Sequence, residues 1–256
     1  MISSGWRKTR KVIEKRNIII TANRILNTPD VDTVYIMMDN SELKKPVNDW
    51  VRIYQQIKIS ECINYDFNDC NIYIEGLEKN FSENTIKDTI RNCLFFNCAI
   101  IAKYEKNIQF RYCVMTDVKF DVRVDNLDFS GCILNGIQLG RKRKEYSEET
   151  KTIYDQLTFN SITDDKAILS INNFNIYGRV NWIWFYGTHM ITLKSLTIET
   201  DGCTDIACED EDFIYGAIKD KLINVVNDDY TIHDYAEERE ERGFPSYFIN
   251  SELYHI

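Results

Sequence analysis

Few residues in this chain are spaced for chemistry. Its three histidines, His189, His233 and His255, are scattered, and its 8 cysteines form no Cys-x-x-Cys pair. Cys203 and Cys208 stand five apart, which is not a zinc-ligand spacing. No phosphate-cradling glycine loop, Gly-x-Ser-x-Gly elbow or His-Glu-x-x-His pair occurs. Carboxylates are so common that any acid/base pairing among them is uninformative. The acidic stretch Glu199, Asp201, Asp205, Glu209, Asp210, Glu211 and Asp212 contains no Lys or Arg, but it lacks an EF-hand pattern and reads as a solvated loop. No catalytic set, metal or cofactor is therefore expected.

What the chain offers instead is contact surface. Arg7, Lys8, Arg10 and Lys11, followed by Lys15 and Arg16, form the strongest basic cluster. It is either the solvated face of a capping helix or a grip on an acidic partner. Arg141, Lys142, Arg143 and Lys144 form a second run, an exposed loop or a contact point. Trp182, Trp184 and Tyr186 alternate with Ile183 and Phe185, so one face of a strand there is entirely large aromatics. Exposed, such a face is a platform for sugars or proteins; buried, it packs against a cap or a neighbouring chain.

The elements that position these groups follow from a repeat. Stepping by five from Cys93, apolar pairs two residues apart recur at Cys93/Phe95, Cys98/Ile100, Ile108/Phe110, Cys113/Met115 and Val118/Phe120. One slot, Lys103/Glu105, is broken. After a slip of one residue the pairs continue at Val122/Val124, Leu127/Phe129, Cys132/Leu134 and Ile137/Leu139. Tyr65/Phe67 and Cys70/Ile72 precede them; Leu169/Ile171, Phe174/Ile176, Ile191/Leu193 and Leu196/Ile198 follow.

A step of five is odd, so a straight strand would turn alternate pairs to opposite faces. An α-helix drifts as well, because five residues advance roughly 500°. A chain that bends once per pentad keeps every pair on one axis, and stacked turns pair their backbone groups. Cys70, Cys93, Cys98, Cys113 and Cys132 all hold the first, narrow inward position, where a free thiol acts as a compact apolar group. The expected fold is mainly β, a parallel β-helix, with 93–139 inside it.

Here the chain resembles the pentapeptide-repeat family, whose unit is a small residue, Asp or Asn, Leu, then two variable residues. Asn126-Leu127-Asp128-Phe129-Ser130-Gly131-Cys132-Ile133-Leu134-Asn135-Gly136 carries the resemblance best. The likeness is good over roughly 62–139 and loose over 157–200. It implies a four-sided right-handed β-helix; the departures from the consensus leave open an irregular β-helix of the phage or pectin-lyase-like kind, and short strands alone would also suit an ordinary β-sandwich. Some members of the family imitate DNA with an acidic rod and bind DNA gyrase.

The expected organisation is a helical or capping segment over 1–60, a solenoid over 61–200 and an acidic helix and tail over 201–256. Helices are expected over 4–27 and 213–226, and a short one within the interruption at 75–91. A charged excursion spans 140–156. Hydrophobic residues make up 44% of the chain and charged residues 28%, which is a folding composition. The net charge of −9 gives no reason to approach nucleic acid directly.

The apolar run Ile18-Ile19-Ile20 is too short for a signal peptide, and no stretch reaches a membrane span, so a protein kept in the cytoplasm or packed into a virion there is expected. Heavy use of Asn, Ile, Asp, Lys and Tyr suits an AT-rich genome such as a phage's. The leading expectation is a non-enzymatic structural or adaptor protein that contacts protein partners, including copies of itself. The alternatives are a DNA mimic and a β-helix enzyme acting on polysaccharide.

Overall fold

The computed structural model describes residues 26–37, 53–75, 89–141, 153–161, 169–208, 210–226 and 230–234. They are mainly β. Seventeen strands belong to one sheet, and the pairings between them are parallel. In chain order they begin with β1 (Thr33–Met37), β2 (Gln55–Lys58), β3 (Asp66–Asn68), β4 (Asn71–Glu75), β5 (Ile90–Arg91) and β6 (Leu94–Phe96). Next come β7 (Ala99–Arg111), β8 (Val114–Thr116), β9 (Lys119–Ser130), β10 (Ile133–Leu139), β11 (Ile153–Asn160) and β12 (Leu169–Tyr186). The last are β13 (Ile191–Leu193), β14 (Leu196–Thr200), β15 (Thr204–Cys208), β16 (Ile223–Val225) and β17 (Tyr230–Asp234).

Parallel, in-register pairing places like residues above one another. One column runs Phe67, Phe95, Met115, Leu134, Ile171, Leu193. A second runs Ile72, Ile100, Phe120, Leu139, Ile176, Ile198, Val225. A third runs Phe110, Phe129, Phe159, Phe185, Cys208. A fourth runs Ile108, Leu127, Leu157, Ile183, Ile206 and Ile232. All but the partly buried Leu193, Val225 and Ile232 are fully buried, and all belong to one apolar core. The pentad pairs thus face inward, and from Phe95 to Met115 to Leu134 each tier takes about four pentads.

The corners have a backbone signature. Asn64 and Asp69, Asn92 and Asn97, Tyr112 and Asp117, and Gly131 and Gly136 are left-handed pairs five residues apart, with φ between 51 and 69°. Asn, Asp and Gly tolerate this region best. Each left-handed residue turns its N–H toward the following tier: Asn92 donates to Arg111 O at 3.0 Å, Tyr112 to Ser130 O at 2.9 Å and Gly131 to Asn160 O at 2.8 Å. Two residues on, the N–H groups point back: Leu94 donates to Tyr65 O at 2.8 Å and Val114 to Cys93 O at 3.0 Å.

The residue after each such corner is the narrow inward one, and this explains the cysteines. The thiols of Cys70, Cys93, Cys98, Cys113 and Cys132 each reach two carbonyls, one two residues before and one on the preceding neighbour strand or turn. Cys132 Sγ lies 3.4 Å from both Ser130 O and Phe110 O, and Cys98 Sγ 3.4 Å from Phe96 O and Phe67 O. A small, apolar group with a weak donor suits that niche. Burial, reinforced by neighbouring thiols, holds Cys62 and Cys113 well above the ordinary thiol range, so they stay protonated.

The structure adds detail at the irregular places. The broken slot at Lys103/Glu105 is a β-bulge: Lys103 opposes Arg123 but Glu105 opposes Val124, so β7 carries an extra residue. Ala102 and Glu105 are the buried pair there and Lys103 is exposed. Residues 1–60, expected as helical or capping, contribute β1 and β2 among the described residues.

Stacking also continues past 200, through β15, β16 and β17. The helix expected over 213–226 is α1, Glu211–Lys219. Asp210 caps it by accepting from the Asp212 N–H at 3.1 Å, and it buries Ile214 and Ala217. It stops because Leu222 N–H bonds back to Ala217 O at 2.8 Å and Lys221 is left-handed, after which Ile223 and Val225 resume the inward pairing. The expected helices at 4–27 and within 75–91 fall outside the described residues, apart from the ends of those spans, and so do most of the excursion at 140–156 and the tail beyond 234.

Candidate binding surfaces

Strand alternation turns every second residue of these columns outward. On the side built from β7, β9, β11, β12, β15 and β17, the outward rows change character along the stack. The first rows are hydrogen-bonded polar ladders. Asn126 Nδ2 donates to Asn107 Oδ1 at 2.6 Å. Thr89 Oγ1 donates to Gln109 Oε1 at 2.7 Å, Gln109 Nε2 to Asp128 Oδ2 at 3.0 Å, and Ser130 Oγ to Asp128 Oδ1 at 2.8 Å. Burial pushes the Asp128 carboxyl up to about 6, against the opposing pull of these two donors and of Arg111.

The later rows are aromatic. Thr158 leads to Trp184 and then Ala207, while Gln156 leads to Trp182 and then Asp205. Trp182 and Trp184 stack at 5.2 Å between ring centres, and Trp184 and Tyr186 at 5.9 Å. His233 Nε2 lies 3.0 Å from Asp205 Oδ1, and its ring sits 5.1 Å from that of Trp182.

Trp182, Trp184 and Tyr186 are thus brought together, but they are 6%, 2% and 4% exposed and form, with Ala207, a small apolar cluster apart from the core. An open stacking platform for a sugar is not what this face presents. Of the basic groups, Arg141 is exposed and its guanidinium lies 3.1 Å from Asp121 Oδ2, itself exposed. Such a pair is worth at most about 1 kcal/mol and leaves the arginine accessible. Arg7, Lys8, Arg10, Lys11, Lys142, Arg143 and Lys144 lie outside the described residues.

Two groups escaped sequence reasoning. Asp128 was visible only as the middle of a pentad; its desolvation depends on distant chain. The Asp205–His233 pair joins residues 28 apart in sequence, a separation set by the length of one tier with its helix. Among the described residues, no group of three or more His, Cys, Asp or Glu is placed to hold a metal ion. No helix there is long and apolar enough to cross a membrane. No protein-family model matches the chain, and neither a curated protein nor a solved structure shows significant similarity to it.

Proposed function

We propose that this chain is a right-handed parallel β-helix of the pentapeptide-repeat kind, acting as a non-enzymatic structural or adaptor protein that docks onto protein partners. The observation that carries the reading is the division of labour between faces. Inward positions are filled by close-packed apolar columns, and outward positions carry polar ladders with separate charged and aromatic regions. A stack of parallel strands joined by short corners is the arrangement from which a solenoid is built. The right hand follows from the strong preference of parallel crossovers for that sense.

A rigid stack with an accessible Arg141 loop, a basic segment at 7–11 and an acidic stretch after 199 suits docking between protein surfaces, including copies of itself. Opposed charges at separated places steer such association. The compositional bias favours a component of a phage particle, assembled inside its host. The test is affinity capture and light scattering over a salt series. Reversing Arg7, Lys8, Arg10 and Lys11 to Glu is expected to weaken association, and more so at low salt. Cleavage of a polysaccharide by the purified protein would overturn the reading, as would potent gyrase inhibition with no other partner recovered.

A further inference from the structure

Ile90 and Phe110 face the core, so strand alternation turns the next residues, Arg91 and Arg111, outward. The register of β5 on β7 sets one arginine directly opposite the other, with backbones about 4.8 Å apart. Like charges so placed repel. Their row offers no relief, since Ile63 precedes Arg91 and Ser130 follows Arg111. Asp128, on the adjoining row, feels the charge of Arg111, but its two oxygens accept from Gln109 and Ser130. Both arginines are partly exposed, yet the Nε of each is buried, and among the described residues no group accepts from it. A buried donor without an acceptor is costly and calls for a partner.

The corner beside them is strained. Tyr112 has φ of 55°, a left-handed conformation that Asn64, Asn92 and Gly131 hold at the equivalent corners. A bulky ring is an outlier there. Its ring lies under Arg111, 5.1 Å from the guanidinium carbon, and Arg111 Nη2 donates to Tyr112 Oη at 3.3 Å. The guanidinium is thereby held in place, and the phenol, an acceptor toward Arg111, still has its proton to give. Charge selects the ligand. One carboxylate is matched by a single guanidinium fork, whereas two guanidiniums on neighbouring strands match a dianion with several oxygens, as a phosphate group is. The net charge of −9 disfavours a long polyanion such as nucleic acid. We propose that Arg91, Arg111 and Tyr112 form a binding site for a single phosphate group on the outer face of β5 and β7, where the group bridges the two guanidiniums and accepts from the phenol. Inorganic phosphate and a phosphate monoester carried on a larger molecule both present that group.

The test titrates the full chain with inorganic phosphate, with phosphoserine and with acetate in a calorimeter at constant ionic strength. Saturable binding of phosphate at one site per chain is expected, at least about tenfold tighter than acetate. Arg91→Gln and Arg111→Gln are each expected to weaken it about tenfold or more, and Tyr112→Phe several-fold, with amide protection over 119–139 unchanged. Phenylglyoxal labelling mapped by mass spectrometry needs no variant: phosphate is expected to slow modification of Arg91 and Arg111 several-fold and to leave the exposed Arg141 unaffected. Phosphoserine competing for the same site supports the proposal and points to a carried phosphate group; binding of inorganic phosphate alone supports it and points to the free ion. Absence of saturable binding by either phosphate probe would overturn the proposal. Equal binding of acetate, or phosphate that binds without protecting Arg91 and Arg111, would do the same.

Discussion

Phe129 tests the packing argument most directly. It is fully buried at the middle of the stack and touches rings on several sides. It stacks on Phe110 at 5.7 Å and on Phe159 at 6.1 Å, and meets Phe120 and Phe174 edge-on at 5.6 and 5.9 Å. Truncation to Ala removes the transfer free energy of the ring and leaves a cavity whose walls are anchored in neighbouring tiers. Substitutions of this kind cost about 3–5 kcal/mol. The four ring contacts place this site toward the upper end, since aromatic pairs add roughly 0.5–1.5 kcal/mol each beyond area.

In a domain of this size each kcal/mol lowers the melting temperature by about 2–4 °C, so a fall of roughly 6–20 °C is expected. Because the rings stacked on Phe129 belong to neighbouring strands, amide exchange gives the sharper assay. Protection is expected to drop first in β7, β9 and β11, whose residues line the cavity. Phe129→Leu, which retains most of the volume, is expected to cost less than about 1.5 kcal/mol, and truncation of the exposed Ile53 almost nothing. A cost below about 1 kcal/mol for Phe129→Ala, or loss of protection spread evenly over all strands, would refute the column as a close-packed unit.

Gly136→Ala is expected to cost about 2 kcal/mol in urea unfolding, because φ there is +69° and the new Cβ would collide with the Asp117 carboxylate in the tier before. In an Asp117→Gly background only the backbone share is expected to remain. Asp128 has a folded-state pKa above its unfolded value, so its protonated form is favoured by folding; its contribution is fully present below about pH 4 and lost as pH rises through about 6. Asp128→Asn is therefore expected to flatten the pH dependence of stability in that window, and an unchanged slope would show the carboxyl to be solvated. Of the 8 thiols, only Cys203 is exposed, so a thiol reagent is expected to modify one group rapidly in the native state and the rest on unfolding. Rapid native labelling of Cys113 or Cys132 would contradict their inward placement.

The pentad period was legible because inward pairs must fill a narrow axis, and the filling chemistry (small, then large) is written into residues such as Cys132 and Leu134. A second signal lay beside it: the left-handed corner just before each narrow site is Asn or Asp at 69, 92, 97 and 117 and Gly at 131. Tyr112 hides that signal by occupying the same conformation with an aromatic ring. Strand β1 was legible only as an apolar run. All five of its residues are buried on both faces, with Tyr35 packed between Tyr54 and Tyr73, and such a strand loses the alternation that would mark its type. The bulge in β7 was illegible for another reason. An extra residue is defined only against its partner strand, so the sequence displays a broken slot and, nineteen residues later, a slip, without stating that they are one event. The aromatic row at 182–186 was placed on one face correctly, and of the exposed and buried readings the structure gives the buried one.

The same geometry decides where function has to be sought. Inside the stack, each apolar column is continuous from tier to tier, and the inward thiols are spent on carbonyls of the corners. Parallel, in-register strands lay equivalent side chains out in straight rows, each fixed at strand spacing from the next. Asn107 meets Asn126, Gln109 meets Asp128 and Asp205 meets His233 along such rows, and each contact satisfies its partner rather than aiming at a common point. If the rows serve the docking proposed above, single substitutions in a polar row are expected to erode association gradually, whereas loss of an inward ring such as Phe129 removes the packing that keeps every row straight.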